Sequence, residues 1–345
     1  MEQKSRSSVA QEEGKWQDGK EAAPSFPTVL IALVVVRKED DLFLCNHEHD
    51  GWYFPAGRVD YGESFATGAV REALEEAGVP VILDGVLRIE HTPGLRNCRM
   101  RVIFQAHAAD DTPPKSIPDE EVIEAKWLTI PELEAKRLRS TEVVEIFKWA
   151  YQGAPVHPMS VIQGKDSATV SHAEVLTNLR YRTVVAVKDH KGRYLAVRKG
   201  LLEAGTKESP SSEWAIPSAY MEKPRTFHNA ARGILFARFG IVLQVEGLLR
   251  IEHIPPTTQR NRTTGQVTGI FVATLMTQTD EAKLEEKAQP LGGDDGPALR
   301  WCTKEEMEQL PGLTPDMLAL LDELEGSPAL HPPALLQMEG APYSL

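Results

Sequence analysis

The 345-residue chain is 41% hydrophobic and 26% charged, the balance of a globular protein rather than a disordered or fibrous one, and its length suits two domains of ordinary size. A formal net charge of −12 argues against a protein that grips nucleic-acid polymers, which takes clustered basic residues. Cys45, Cys98 and Cys302 stand alone, so neither a disulfide framework nor a structural zinc site is expected, and a reducing, cytoplasmic setting is.

In chain order, residues 1–26 mix acidic and basic residues with Ser, Gln and Gly. They lack the Arg-rich, acid-poor character of a transit peptide and read as a disordered tail. "TVLIALVVV" at 28–36 is too short to span a bilayer. It reads as a buried strand, followed by a polar turn and a second β-rich run, "LFLC", and no membrane partner is expected.

Next, "AGRVDYGE" at 56–63 reads as a loop and "SFATGAVREALEEAG" at 64–78 as a helix, with Ser64 as its N-cap and Gly78 as a left-handed C-terminal cap. Strand-like "LRIEH" and "RMRVIFQAHA" follow, then the acidic loop of "PDEEVIEAKW" and a terminal helix, "STEVVEIFKWAYQG".

The helix places Glu72, Glu75 and Glu76 at i, i+3 and i+4, so three carboxylates share one face. A solvated face is one reading, with Arg71 paired to Glu75 four residues on. The other is a hard oxygen site for Mg2+, which takes a few carboxylates, keeps waters and engages substrate phosphates. A Gly-rich phosphate loop is absent, and no Ser-His-Asp or Cys-His arrangement suggests a covalent nucleophile.

Gly57, five residues, Glu63, seven residues, then "REALEEAGV" resembles the complete Nudix box, GX5EX7REUXEEXGU with U apolar; Ala73 is its weakest apolar position. Seven fixed residues at about 7% usage each would coincide with a probability on the order of 10^-8 per window. The resemblance implies an α/β/α sandwich that hydrolyses nucleoside diphosphates linked to a further moiety, with Mg2+ or Mn2+ as cofactor. It implies Glu72, Glu75 and Glu76 as metal ligands, with the Gly57 carbonyl assisting, and Glu63 and Arg71 as the charge pair that fixes loop to helix. Water is then activated by a carboxylate or a second metal, the candidates being Glu75, Glu76, Glu120 and Glu121. Arg58, Arg88, Arg96, Arg99 and Arg101 are candidates for phosphate or base contacts.

"GWYFPAGRVDYGE" is similar to the nucleotide-cleaning, MutT-like branch that includes hydrolases of oxidised guanine nucleoside diphosphates (8-oxo-dGDP phosphatase-like), with Asp60 where that group has Glu. A small-molecule nucleotide, a normal or oxidised nucleoside di- or triphosphate, is the substrate this implies. Hydrolysis of ADP-ribose, dinucleoside polyphosphates or another diphosphate, and a non-enzymatic nucleotide-binding or regulatory role, stay open as alternatives.

The block starting at Trp52 recurs without a gap at Trp214, 162 residues on. Pro55 matches Pro217, Phe65 matches Phe227, Gly78 matches Gly240, and "LRIEH" closes both blocks. The expected fold class is therefore α/β, two tandem Nudix-type sandwiches: a catalytic domain at 27–160, a linker at 161–180, a degenerate domain at 181–335 and a C-terminal tail at 336–345. In the second copy Gly57 becomes Ala219, Glu63 becomes Arg225, Arg71 becomes Gly233, and Glu72, Glu75 and Glu76 become Ile234, Ala237 and Arg238. That copy is expected to be inactive, and to stand in for a partner subunit or to sense a ligand. The chain is accordingly expected as a monomer with paired halves or as a homodimer. Polar insertions, "LLEAGTKESPSSE" and "PPTTQRNRTTGQ", read as loops.

Overall fold

The computed structural model describes residues 23–94, 96–167, 176–199, 201–202, 212–256, 264–287 and 298–343. Most of the expected N-terminal tail, part of the linker and the middles of both insertions lie outside the described residues. The first half runs β1 (Phe26–Lys38), β2 (Leu42–Glu48), β3 (Gly51–Tyr53), β4 (Ala56–Arg58), α1 (Phe65–Ala77), β5 (Val81–Thr92), β6 (Cys98–Ala108), β7 (Val122–Leu128), α2 (Ile130–Glu134), α3 (Glu142–Tyr151) and β8 (Ile162–Gly164). The second half runs β9 (Thr177–Lys188), β10 (Tyr194–Arg198), β11 (Trp214–Ala215), β12 (Ser218–Tyr220), α4 (Phe227–Arg232), α5 (Phe236–Phe239), β13 (Leu243–Ile254), β14 (Gly265–Leu275), α6 (Gln278–Lys287), β15 (Leu299–Cys302), α7 (Lys304–Glu308), α8 (Pro315–Glu325) and β16 (Leu336–Gln337). This is a mixed α/β fold. No helix among the described residues is long and apolar enough to cross a membrane.

Strand alternation sorts the side chains of β1. Leu30, Ala32, Val34 and Val36 join one core with α1, and Leu33 and Val35 join another with α3, the pattern of a sheet buried on both faces. β1 lies parallel to β6, β6 antiparallel to β5, and β4 antiparallel to β1 with Gly57 opposite Ala32. The second half repeats these pairings: β9 with β14, β14 with β13, and β12 with β9, with Ala219 opposite Thr183.

The halves join edge to edge in the order β16-β5-β6-β1-β9-β14-β13-β8. At the centre, β1 meets β9 at Phe26–Thr28, and the Thr28 hydroxyl is 2.9 Å from the Tyr181 hydroxyl in a buried hydrogen bond. At the outer edges each half lends a strand to the other: β8 pairs with β13, and β16 pairs with β5. The segments leading to these strands cross at His157 and His331, whose Nδ1 atoms are 2.9 Å apart. His157 exchanges two backbone hydrogen bonds with Val86, and His331 does the same with Leu248.

Exchange of this kind merges the cores. Phe65, Ala69 and Ala73 of α1 lie in one continuous apolar cluster with Tyr181, Phe227 and Ile251 of the second half. Residues 339–343, read from sequence as part of a tail, continue from β16 across the first half. Tyr343 lies under the Arg88 guanidinium at 4.5 Å and against Trp149 at 5.4 Å.

A shared core of this extent makes the chain one cooperative unit. A Cβ added at Gly85 would sit 2.4 Å from the His157 carbonyl oxygen, so Gly85→Val is expected to lower the melting temperature by several degrees, in line with about 1–3 kcal/mol of overpacking. Calorimetry should show one transition in both proteins; two separable transitions would refute a common core.

Candidate active site

α1 approaches the sheet closely because its inward stripe is small: Gly68, Ala69, Ala73 and Ala77 are buried along it. The Ser64 side chain accepts the Thr67 N–H, and Gly78, at φ 71°, closes the helix with its N–H on the Leu74 carbonyl. Two carboxylates, Glu72 and Glu76, stand in that buried stripe, whereas the Glu75 side chain is 55% exposed.

Burying a carboxylate disfavours its charge unless donors or cations compensate. Glu76 Oε2 accepts the Ala56 N–H at 2.9 Å and an Asn46 Nδ2–H at 2.7 Å. Burial nevertheless pushes its carboxyl from the ordinary 4.5 up to about 8, with the neighbouring charge of Glu72 adding to the effect. Glu72 is likewise raised by burial, against the pull of Arg71. A Cβ on Gly57 would lie 2.2 Å from the Glu72 carboxyl carbon, so only a glycine at this point of β4 lets the strand and that carboxylate share the space.

Arg71 is the hub. Its Nε and Nη2 donate to Glu63 at 3.0 and 2.9 Å, its Nη1 to Glu72 and Glu75 at 2.8 and 2.9 Å, and its Nη2 also to the Arg58 carbonyl at 2.7 Å. Burial opposes its charge, but the bonds to the glutamates outweigh that and raise its pKa. Glu63, 2% exposed, also accepts the Asp60 N–H and so ties the preceding loop to the helix.

These groups edge a cavity of about 690 Å³ that is also lined by Glu48, Arg58, Glu121 and Arg139. Sequence reasoning missed Asn46 and Glu48. Both are on β2, and period-2 alternation sets them on the side of Leu44, toward α1. Glu48 Oε2 accepts from Arg139 at 2.6 Å, while its Oε1 is buried without a hydrogen-bond partner. Burial, set against Arg139, raises its pKa. An orphaned carboxylate oxygen beside Glu72, Glu75 and Glu76 is a donor set suited to a hard divalent cation.

The remaining candidates divide. Arg58 and Glu121 line the cavity, whereas Glu120 is not among its lining residues. Arg88 and Arg101 do not line it either: both are buried on the α3 side of the sheet, Arg101 on Glu90 at 2.6 Å and on Glu142 at 3.0 Å, and Arg88 over Tyr343. The physical reason is cross-strand pairing, since Arg101 and Glu90 are register partners. Arg99 pairs with Glu339 at 3.2 Å. A separate trio in the second half, Asp189, His190 and Glu281, has ligand atoms within 4.8 Å of one another, but the Asp189 carboxylate is taken up by the Lys191 and Arg193 N–H groups and the Arg193 side chain, which is the work of a turn.

Residues 27–149 match the family model of the NUDIX domain. Among solved structures, the chain is similar to a NUDIX hydrolase from Nitrosomonas europaea at 23% identity, covering 39% of this chain and 96% of that one with a TM-score of 0.35. It is similar to a MutT protein from Methanosarcina mazei Go1 at 20% identity, covering 39% and 99% with a TM-score of 0.29. It is also similar to an ADP-ribose pyrophosphatase from Streptococcus suis 89-1591 at 21% identity, covering 38% and 96% with a TM-score of 0.31. Scores of this size do not bear on the substrate.

The Glu76 environment sets a pH dependence. Its folded pKa of about 8 lies above the ordinary 4.5, so the stability tied to its neutral form is complete below pH 4.5 and falls as pH rises through 8. Glu76→Gln is therefore expected to raise the melting temperature of the metal-free protein at pH 9 and to change it little at pH 5; an equal shift at both would contradict the assignment. A divalent cation held by these carboxylates would need them ionised, so its affinity would climb between pH 6 and 8 and then level off.

Proposed function

We propose that the chain, whose residues 27–149 match the NUDIX domain, is a hydrolase of nucleoside diphosphate-linked compounds, that its substrate is a nucleoside di- or triphosphate, oxidised bases included, and that its cation is Mg2+ or Mn2+. The observation that carries this reading is the convergence of Glu72, Glu75 and Glu76 on one turn of α1, against the bare backbone of Gly57 and facing the 690 Å³ cavity. Glu72, Glu75 and Glu76 would hold the ion, with Glu48 Oε1 beside them. A bound divalent cation neutralises pyrophosphate oxygens and favours charge developing at phosphorus.

The chain's own groups do the rest. Arg71 stays protonated and holds Glu63, Glu72 and Glu75 in one arrangement, so the carboxylates are set before substrate arrives. Asn46 and the Ala56 N–H fix the orientation of Glu76. Glu121, at the cavity edge and near enough for its charge to act on Glu72, would accept the proton of the attacking water, and Arg58 would meet a phosphate. The similarity of the "GWYFPAGRVDYGE" run to the nucleotide-cleaning branch supports the choice of nucleotide. Trp52 itself is buried, stacked on the His47 ring at 4.8 Å with Lys136 over its ring at 4.7 Å, so its role is packing.

The second half is read as catalytically inactive. It has Ala219, Ile234, Ala237 and Arg238 in place of the donor set, and its helix breaks at Gly233 into α4 and α5 of six and four residues.

The test is hydrolysis with Mg2+ or Mn2+ across normal and oxidised nucleoside di- and triphosphates, ADP-ribose and dinucleoside polyphosphates, with products identified. A nucleoside monophosphate plus phosphate or pyrophosphate is expected, and two nucleotides or sugar phosphates would transfer the assignment to the diphosphate-linked class. Glu75→Gln and Gly57→Ala should each lower kcat at least about a hundredfold, the scale of several kcal/mol of lost charge stabilisation. Absence of turnover across the panel would point to a binding protein.

A further inference from the structure

We propose that the second half serves the reaction by setting the position of the metal-binding helix, through Asp166 and His253. The inference rests on the reading of α1 given above, and it gives the inactive half a mechanical task.

The start of α1 is held by the segment that follows β8. Asp166, 102 residues away, accepts the Ser64 N–H on Oδ1 at 2.6 Å and the Thr67 hydroxyl on Oδ2 at 2.7 Å. In a capping box, an acid at the third helical position reaches back to the N-cap N–H. Here that position is Thr67, and the acid comes from the chain beyond β8. The next residue, Ser167, donates its N–H to the Gly62 carbonyl at 2.6 Å. A carboxylate at this end of a helix also meets the positive end of its dipole.

What fixes Asp166 in space is the second half. β8 pairs only with β13 among the described strands, with Gly164 opposite His253. His253, 2% exposed, sets its ring 5.2 Å from that of Phe65, the first residue of α1, and neither ring nitrogen has a hydrogen-bond partner. What it offers Phe65 is therefore surface. Strand β13 thus grips the helix start twice, through its own His253 and through the strand that delivers Asp166. From there α1 continues to Glu72, Glu75 and Glu76, so a tilt at Phe65 moves all three carboxylates, and Glu72 moves relative to Gly57, where there is no room even for a Cβ.

The mirror arrangement lacks the acid. His91 packs on Phe227 at 5.0 Å, at the start of α4, and β16 lies on β5. At the offset of 174 that relates His157 to His331, however, the counterpart of Asp166 is Gly340. The carboxylate clamp is directed at the helix that keeps its glutamates and not at the one that lost them.

The experiment uses the full chain with Asp166→Ala, Asp166→Asn, His253→Ala and His253→Leu, and reads hydrogen exchange along α1, Mn2+ binding by electron paramagnetic resonance, and kcat against KM. Asp166→Ala and His253→Ala are expected to speed exchange of the first α1 turn and to weaken Mn2+ binding about three- to tenfold, the scale of a lost N-cap interaction, with kcat falling more than KM rises. Asp166→Asn, which keeps an acceptor for Ser64, and His253→Leu, which keeps an apolar surface, should recover most of both. Variants that only lower the melting temperature, with α1 exchange and Mn2+ affinity unchanged, would overturn the proposal. Failure of the wild-type chain to bind Mn2+ would instead remove the metal-site reading, leaving altered α1 exchange to decide whether the clamp exists.

Discussion

Carboxylates crowded on one turn of a helix repel one another, and in this fold a single guanidinium makes their arrangement possible. Arg71 reaches the loop glutamate, two of the three helix glutamates and the Arg58 carbonyl at once. Its five donors lie in a rigid plane, so the loop carrying Gly57 and the helix carrying the glutamates cannot drift apart without breaking several charge-assisted bonds together. Glu76, out of Arg71's reach, is instead buried against backbone and Asn46. The difference divides the carboxylates into a group tied to one guanidinium and a buried one, Glu76, that meets only neutral donors and resists ionisation, two environments that a cation would unite.

The second constraint is the reciprocal strand exchange. Each half contributes an edge strand to the other's sheet, and the inner cores are continuous. This binds the halves more tightly than an interface of side chains alone, because main-chain hydrogen bonds fix register as well as proximity. The outer cores, built around α3 and α8, stay separate. The halves are thus coupled through a shared core on the α1 side of the sheet, and on the other side through the residues after β16, where Tyr343 reaches Arg88 and Trp149.

Legibility of the sequence followed the range of the interactions. The box spacing, the caps at Ser64 and Gly78 and the helix face of Glu72, Glu75 and Glu76 are local, and period and cap chemistry are enough to place them. The repeat was readable because Trp, Pro and Gly recur in one register. Asn46, Glu48 and Asp166 are not, since each meets α1 only when distant parts of the chain fold together; the polar end of β2, Asn46, His47 and Glu48, is the sole hint. Arg88 and Arg101 read as candidates for phosphate or base contacts for the same reason: Glu90, the partner of Arg101, is across a strand pair, and Tyr343, the partner of Arg88, is near the other end of the chain. The last residues, polar and short, gave no sign that Tyr343 would find the first half.

Gly57 and its counterpart Ala219 also bear on the history of the second half. In the first half the absent side chain at 57 makes room for a carboxylate; in the second, a methyl stands at the matching point of β12, and residue 234 falls beyond the end of α4. A glutamate regained at 234 would therefore return to a position that is no longer helical and no longer has space for it. Reversal needs the glycine, the uninterrupted helix and the carboxylates to reappear together, and none of these steps is useful alone. On the proposed reading of that half as inactive, its loss of catalysis would act as an evolutionary ratchet, and the surfaces that hold its neighbour would be what it has left to keep.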